Sequence, residues 1–372
     1  MRKTLSLVLA ILLTLSLVAC GQKKATEGGK EGSAGQASSG SGEILIGNLQ
    51  DLSSATSVWG KAVTNGAELA VEKINKEGGL LGKKVRLITY DTKNDVQEAI
   101  NAYNRLTGQD KVVAVIGPPV SNIGIALAPI AEQAKVLILG SFIDERATTK
   151  QTGEPWAYNF LMQPSSVQQA YIMAGYTLEK LGLKKIVVLY NQANAYSVSL
   201  AKPFIDYVKS HGGEIVSEQT YKTGDKDFKT QLSAIKQAGA ETVFLPNYIQ
   251  ECVLQVQQAR ALGLTFPIVG GLDFAPPFAS MAGEAANNVY LPNNFAFDDP
   301  QLKEVLEAYK EKYKEEPLNK AFLGYDSVMM IADSIKRAGS LDPVKIKDAL
   351  EQLKDFKGTT GVISISPKTH RP

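Results

Sequence analysis

The chain has 372 residues, with 40 Lys+Arg against 38 Asp+Glu, 2 His and 2 Cys. The length suits about two domains of roughly 150 residues each, and 44% hydrophobic with 21% charged residues excludes a disordered chain over most of its length. A net charge of +2 gives no bulk reason to expect nucleic-acid binding, two Cys exclude a Cys₄ zinc site or a multi-disulfide scaffold, and His211 and His370 leave little room for a His-based metal centre.

Met1, Arg2 and Lys3 form a short positive start, and Leu5 to Ala19 is an uncharged, mostly apolar run. That run is too short to cross about 30 Å of hydrocarbon comfortably and suits a signal-peptide core. It ends in Leu17, Val18, Ala19 and Cys20, which resembles a bacterial lipobox; that resemblance implies lipidation at Cys20. An ordinary signal peptide with a chance Cys, or a short anchor, are the alternatives. With Cys20 consumed, Cys252 has no partner for an intrachain disulfide. Residues 21–43, GQKKATEGGKEGSAGQASSGSGE, have no apolar pattern and read as a flexible tether. Its random-coil reach is roughly 25 Å, enough to hold a folded body off a membrane. The expected organisation is a signal peptide over 1–19, then the lipidated Cys and tether over 20–43. The body then lies on the extracytoplasmic face of the cell membrane.

From Glu43 onward, short β-rich runs alternate with amphipathic stretches. The predicted strands are 44–49, 84–90, 112–116, 136–139, 185–190, 214–219, 242–246, 267–269, 289–291 and 362–365. Helices are predicted over 62–76, 121–134, 198–209, 228–238, 252–262, 301–314, 321–338 and 343–353. In the first of these, Val63, Ala67, Ala70, Val71 and Ile74 fall at helical spacing, and Gly78 and Gly79 make a stop. Ser121 and Asn122 open the second, and either can cap it. Runs such as Val112 to Ile116 and Ile186 to Leu189 are apolar on both sides, as a buried parallel strand requires. About nine βα units are too many for one open sheet, so the fold class read here is α/β with two Rossmann-like lobes. A single (β/α)₈ barrel is the alternative, but strand spacing is irregular and residues 301–353 are helical without an intervening strand.

Catalytic signatures are missing. There is no Gly-x-Ser-x-Gly, no His-Glu-x-x-His and no Cys-x-x-Cys. The run Gly78 to Lys84 fails as a phosphate loop on spacing and reads as a helix stop and turn. His211 abuts Gly212 and Gly213, and His370 is almost terminal. The chain is read as a non-enzyme without metal or cofactor. A carboxylate-only hydrolase stays open, since paired acids need geometry to judge.

Several ordered segments then carry a resemblance. Gly66 to Asn75 with Gly82 to Val85, Val115 to Pro118, Ala128 to Glu132, Tyr221 to Phe228, Gln258 to Gly263, Gly324 to Asp326 and Phe356 to Gly361 together resemble branched-chain amino-acid-binding proteins of ABC transporters. The similarity runs from about Ile44 to Pro367. It implies a type I periplasmic binding fold, two lobes joined by three crossovers, with lobe 1 at 44–162 plus 294–356 and lobe 2 at 163–293 plus 357–372. It also implies an amino-acid ligand held between the lobes, a permease and ATPase complex as partners, and a monomer. Open α/β sheets bind ligands at the same place, beyond the C-terminal strand ends.

Among the residues the resemblance brings to the cleft, Ser121 matches a ligand-contacting Ser. It opens a helix, where free amides and the dipole favour a carboxylate; Asn122 follows it. Ser141 and Phe142 follow the strand ending at Leu139. Trp59 matches an aromatic covering the ligand, and Tyr196 and Tyr248 match second-lobe aromatics. Phe322 lies near a contact to an aliphatic side chain. An acid for the ligand's ammonium is expected directly after Gly270 and Gly271, yet Leu272 stands there and Asp273 comes one residue later. Ile143 stands where a Thr is common. Both departures admit relatives' other ligands: amides, urea or aromatic carboxylates. Glu251 and Asp144 are weaker substitutes for the acid. The family continues past residues 364–370, so a short variant or a truncated sequence is expected, with a less covered edge on the second lobe. A ligand sensor on the same lobes is the alternative to transport.

Overall fold

The computed structural model describes residues 42–293, 295 and 298–372. Cys20, the expected signal peptide and nearly all of the tether lie outside the described residues. Among the described residues no helix is long and apolar enough to cross a membrane, and no cluster of His, Cys, Asp and Glu would hold a metal ion.

The first lobe begins with β1 (Ile44–Gln50), α1 (Ser57–Lys76), β2 (Val85–Asp91), α2 (Val96–Gly108), β3 (Ala114–Ile116), α3 (Ser121–Ala134), β4 (Ile138–Gly140) and β5 (Asn159–Leu161). All strands pair in parallel, in the order β2-β1-β3-β4-β5. The second lobe follows with α4 (Ser166–Gly175), β6 (Lys185–Asn191), α5 (Ala195–Ser210), β7 (Glu214–Tyr221), α6 (Lys229–Gln237), β8 (Thr242–Leu245), α7 (Ile249–Ala261), β9 (Ile268–Gly270), α8 (Phe278–Ala282) and β10 (Val289–Tyr290). Its sheet is also parallel, in the order β10-β9-β8-β6-β7. Two separate open sheets exclude the barrel. Each sheet has a switch point where strand order reverses, between β1 and β3 and between β6 and β8. The crevice beyond such a point is where open α/β sheets take ligands.

The chain then rejoins the first lobe through α9 (Lys303–Tyr313), α10 (Asn319–Ala338) and α11 (Pro343–Glu351), and ends in an antiparallel hairpin, β11 (Phe356–Gly358) with β12 (Gly361–Ile363). Helices α1 and α10 cross closely because each offers a glycine. A Cβ on Gly66 would lie 1.8 Å from the Ala321 carbonyl oxygen, and one on Gly324 would lie 2.0 Å from that of Val63.

The elements expected from sequence are present, with five additions (α2, α4, β5, the short α8 and β11) and one relocation. Helix α2 carries Ala99, Tyr103 and Leu106 on one buried stripe behind an Asp95 cap; Asn101, Asn104 and Thr107 lower its intrinsic propensity and mask it. Strand β5 is three residues long, and α4 runs directly into a π-turn at Tyr176–Lys180. The relocation is the C-terminal segment 357–372, expected in the second lobe. Ile363 and Ile365 pack into the first-lobe core. His370 stacks on Phe160 with ring centroids 4.1 Å apart, and its carbonyl accepts from the Leu161 amide at the edge of β5. Asp326 of α10 fixes the hairpin by accepting from the amides and hydroxyls of Thr359 and Thr360. Among the described residues the chain thus crosses between lobes after β5 and after β10, and its end stays on the first lobe.

Candidate functional site

The segments after β1, β3, β4, β5, β6, β8 and β9 and the start of α10 meet at one buried cavity between the lobes. Thr56, Trp59, Pro119, Ser141, Ile143, Gln163, Tyr196, Tyr248, Leu272, Asp273 and Lys320 line it.

On the first-lobe side, Asp51 shapes the wall. Its carboxylate accepts from the Ser54 amide at 2.8 Å, the Thr56 amide at 2.8 Å and the Thr56 hydroxyl at 2.7 Å. A Cβ on Gly60 would sit 1.9 Å from the Asp51 carbonyl oxygen, so the loop folds tightly onto the first turn of α1 and presents Trp59. Helix α1 starts at Ser57, so Trp59 stands on a rigid element and not in the loop expected from sequence.

On the second-lobe side, a 3₁₀ turn over Leu272–Phe274 follows β9 directly and buries all three side chains. The ring of Phe274 occupies the space where a Cβ on Gly270 would be. This tight turn brings Asp273, one residue late in the sequence pattern, into the cavity. Trp59 Nε1 donates to Asp273 Oδ1 at 2.7 Å, a buried bond joining the two lobes. Tyr196 and Tyr248, at the starts of α5 and α7, stack at 4.8 Å beside it, and the Tyr196 hydroxyl faces Asp273.

A model for periplasmic binding proteins matches residues 43–372. This chain belongs to the periplasmic binding protein family. It is similar to the branched-chain amino-acid transporter substrate-binding protein LivJ from Streptococcus pneumoniae, solved with isoleucine, at 34% identity over 89% of this chain and 93% of that one, with a TM-score of 0.82. It is also similar to the leucine-binding protein LivK from Thermotoga maritima, at 30% identity over 88% and 92%, TM-score 0.81. A Leu/Ile/Val-binding protein homologue from Brucella melitensis is 29% identical over 338 residues, 89% of each chain. The relatives of this binding protein are solute-binding proteins of an extracytoplasmic family, not enzymes.

The remaining sequence-predicted residues divide. Ser121 is fully buried at the first position of α3; Val120 holds the cap position without a side-chain bond. The Ser121 hydroxyl accepts long bonds from the Ile143 and Asp144 amides, 3.4 Å each, and so holds the loop that carries Ser141 and Ile143. Ser121 does not line the cavity. Asn122 Oδ1 accepts from the Ala195 amide at 2.9 Å, a second bond across the lobes at the cleft mouth. Phe142 is wedged against Gly124 and Gly140 in the first-lobe core. Phe322 is buried in that same core with Phe295 edge-on at 5.2 Å. Neither Phe lines the cavity.

Of the substitutes weighed for the acid, Asp144 is bonded to Arg146. Glu251 lies at the cleft mouth near Asn122 and Asn194; burial first and the Asp273 carboxylate second push its carboxyl up to about 7.

Sequence reasoning missed Thr56, Pro119, Gln163 and above all Lys320, and it named Ile143 and Leu272 only as departures. Lys320 is 8% exposed. Its Nζ donates to Gln163 Oε1 at 3.2 Å, and it makes no ion pair among the described residues. Burial pulls its ammonium down to about 8, with Asp273 opposing. Burial likewise raises the Asp273 carboxyl, opposed by the nearby Tyr196 hydroxyl, the charge of Lys320 and the Trp59 N–H. The site therefore holds one anion and one cation on opposite lobes, with aromatic and aliphatic walls between them. The enclosed space is about 20 Å³, room for roughly one water. An amino-acid-sized solute enters only when the lobes part or the lining side chains move.

Proposed function

We propose that this protein is the solute receptor of an ABC importer. It captures a branched-chain or related amino acid by closing its two lobes and delivers it to a permease and ATPase complex. It performs no chemistry on the solute. Lipidation at Cys20 would tether it to the outer face of the cell membrane.

One observation carries the ligand reading: Asp273 is a buried carboxylate in the interlobe cavity, bonded by Trp59 of the opposite lobe. A buried anion costs several kcal/mol unless paired, and a ligand ammonium supplies a full countercharge. Tyr196, Tyr248, Leu272 and Ile143 give the apolar surface that an aliphatic side chain needs. The similarity to a protein solved with isoleucine supports the same class.

Calorimetry of the purified protein against leucine, isoleucine, valine, acetamide, urea and benzoate tests this. Binding by the branched-chain amino acids at micromolar concentration, with Asp273→Asn weakening it at least about tenfold, is expected. Binding of benzoate or an amide, with no response to amino acids at millimolar concentration, would move the assignment to the other solute classes.

A further inference from the structure

We propose that Lys320, with Ser141, is the receptor for the anionic group of the bound solute, so that the site selects a zwitterion by charge on both lobes. This rests on the amino-acid reading above and specifies which residue reads the carboxylate.

The sequence pattern points to the start of α3 and Ser121 for that role. The Ser121 hydroxyl is instead turned to the Ile143 and Asp144 amides. The cation lies elsewhere, at the start of α10. A positive side chain in a helix's first turn opposes the dipole, and burying it adds a desolvation cost. Folding alone gives no reason for a lysine at this position.

Its surroundings supply one. Lys320 lines the cavity and has three N–H donors, of which Gln163 takes one. The Gln163 amide nitrogen donates to the carbonyl of Ser141. Gln163 thereby fixes Lys320 and Ser141 as neighbours on one wall. The Ser141 hydroxyl is buried with no hydrogen-bond partner. The first-lobe wall therefore offers two ammonium N–H groups and one hydroxyl, and no anion to meet them. The opposite wall offers Asp273. A zwitterion answers both charges. An amine leaves Lys320 unpaired, a simple carboxylate leaves Asp273 unpaired, and a neutral solute leaves both.

The test is calorimetry at pH 7 on the wild-type chain, Lys320→Met and Lys320→Gln, with three probes: L-isoleucine, L-isoleucinamide and 3-methylpentanoate. The wild type is expected to prefer isoleucine. Both variants should bind isoleucine about 10- to 100-fold more weakly, the range for losing a charged hydrogen bond, while isoleucinamide changes little. The unliganded variants should melt at or above the wild-type temperature, because a buried charge is removed. Isoleucine bound equally by wild type and both variants overturns the inference and leaves the amino-acid reading standing. If 3-methylpentanoate is the preferred probe and the variants lose it, Lys320 keeps its role as the carboxylate receptor, while the selection of a zwitterion and the amino-acid reading both fall. Binding confined to isoleucinamide, or none at millimolar concentration, overturns both.

Discussion

Glu251 shows how a single side chain sets a pH dependence. Its carboxyl is pushed up to about 7 in the folded protein against 4.5 ordinarily, by its partial burial first and by the Asp273 carboxylate second. As pH rises from 4.5 to 7, the unfolded chain releases this proton first and the folded chain keeps it. Glu251 therefore subtracts stability progressively through that window and a constant amount above it, of order 3 kcal/mol. Glu251→Gln removes the penalty. Its melting temperature should match the wild type near pH 4.5 and exceed it by several degrees at pH 8. A difference that stays constant between pH 5 and 8 would mean that Glu251 titrates normally. The same scale shows what the sequence makes legible. Asp273 is found from its place after two glycines, and its one-residue delay is absorbed by the 3₁₀ turn. Lys320 is not found, because a lysine beside Asn319 at a helix start reads as a solvated end; only the depth at which α10 enters the molecule buries it.

Among the elements, α1 and α10 matter most, since α1 carries Trp59 and α10 carries Lys320 to the cavity. Their crossing depends on Gly66 and Gly324, each with a carbonyl oxygen where a Cβ would go. Gly324→Ala must push the helices apart. The expected cost is about 3 kcal/mol, read as a lower urea midpoint with unchanged slope, together with weaker isoleucine binding. Gly108 ends α2 in open space, so Gly108→Ala should be neutral or stabilising by up to about 1 kcal/mol. Equal effects from the two substitutions would show that the crossing tolerates a methyl. At this scale the βα alternation is legible because each long apolar strand is buried on both faces. Strand β5 and the seat of the last residues are not. Strand β5 begins at the polar Asn159, with only Phe160, Leu161 and Met162 following before Gln163 and Pro164, and the stacking of His370 on Phe160 joins positions 210 apart in the chain.

For the molecule as a whole, the lobes are closed, and two named bonds hold them: Asn122 with the Ala195 amide, and Trp59 with Asp273. An enclosed space of about 20 Å³ cannot admit an amino acid, so binding has to proceed through an open state that the solute then draws shut. Trp59 is 3% exposed in the closed arrangement and loses its carboxylate partner when the lobes part. The other tryptophan, Trp156, sits on the first lobe beneath Lys150, so Trp156→Phe leaves Trp59 as the only indole reporter. In that background, saturating isoleucine should shift the emission to the blue, and small-angle scattering should record a smaller radius of gyration over the same titration. Trp59→Phe keeps a ring in the wall but leaves Asp273 Oδ1 without its donor. The closed state then loses about 1–3 kcal/mol, and isoleucine affinity should fall about tenfold or more, with the contraction appearing at correspondingly higher concentration. Unchanged Trp59 emission at saturation, together with unchanged affinity in Trp59→Phe, would mean that closure is not latched through the indole and that the Asn122 contact, or the solute itself, holds the lobes together.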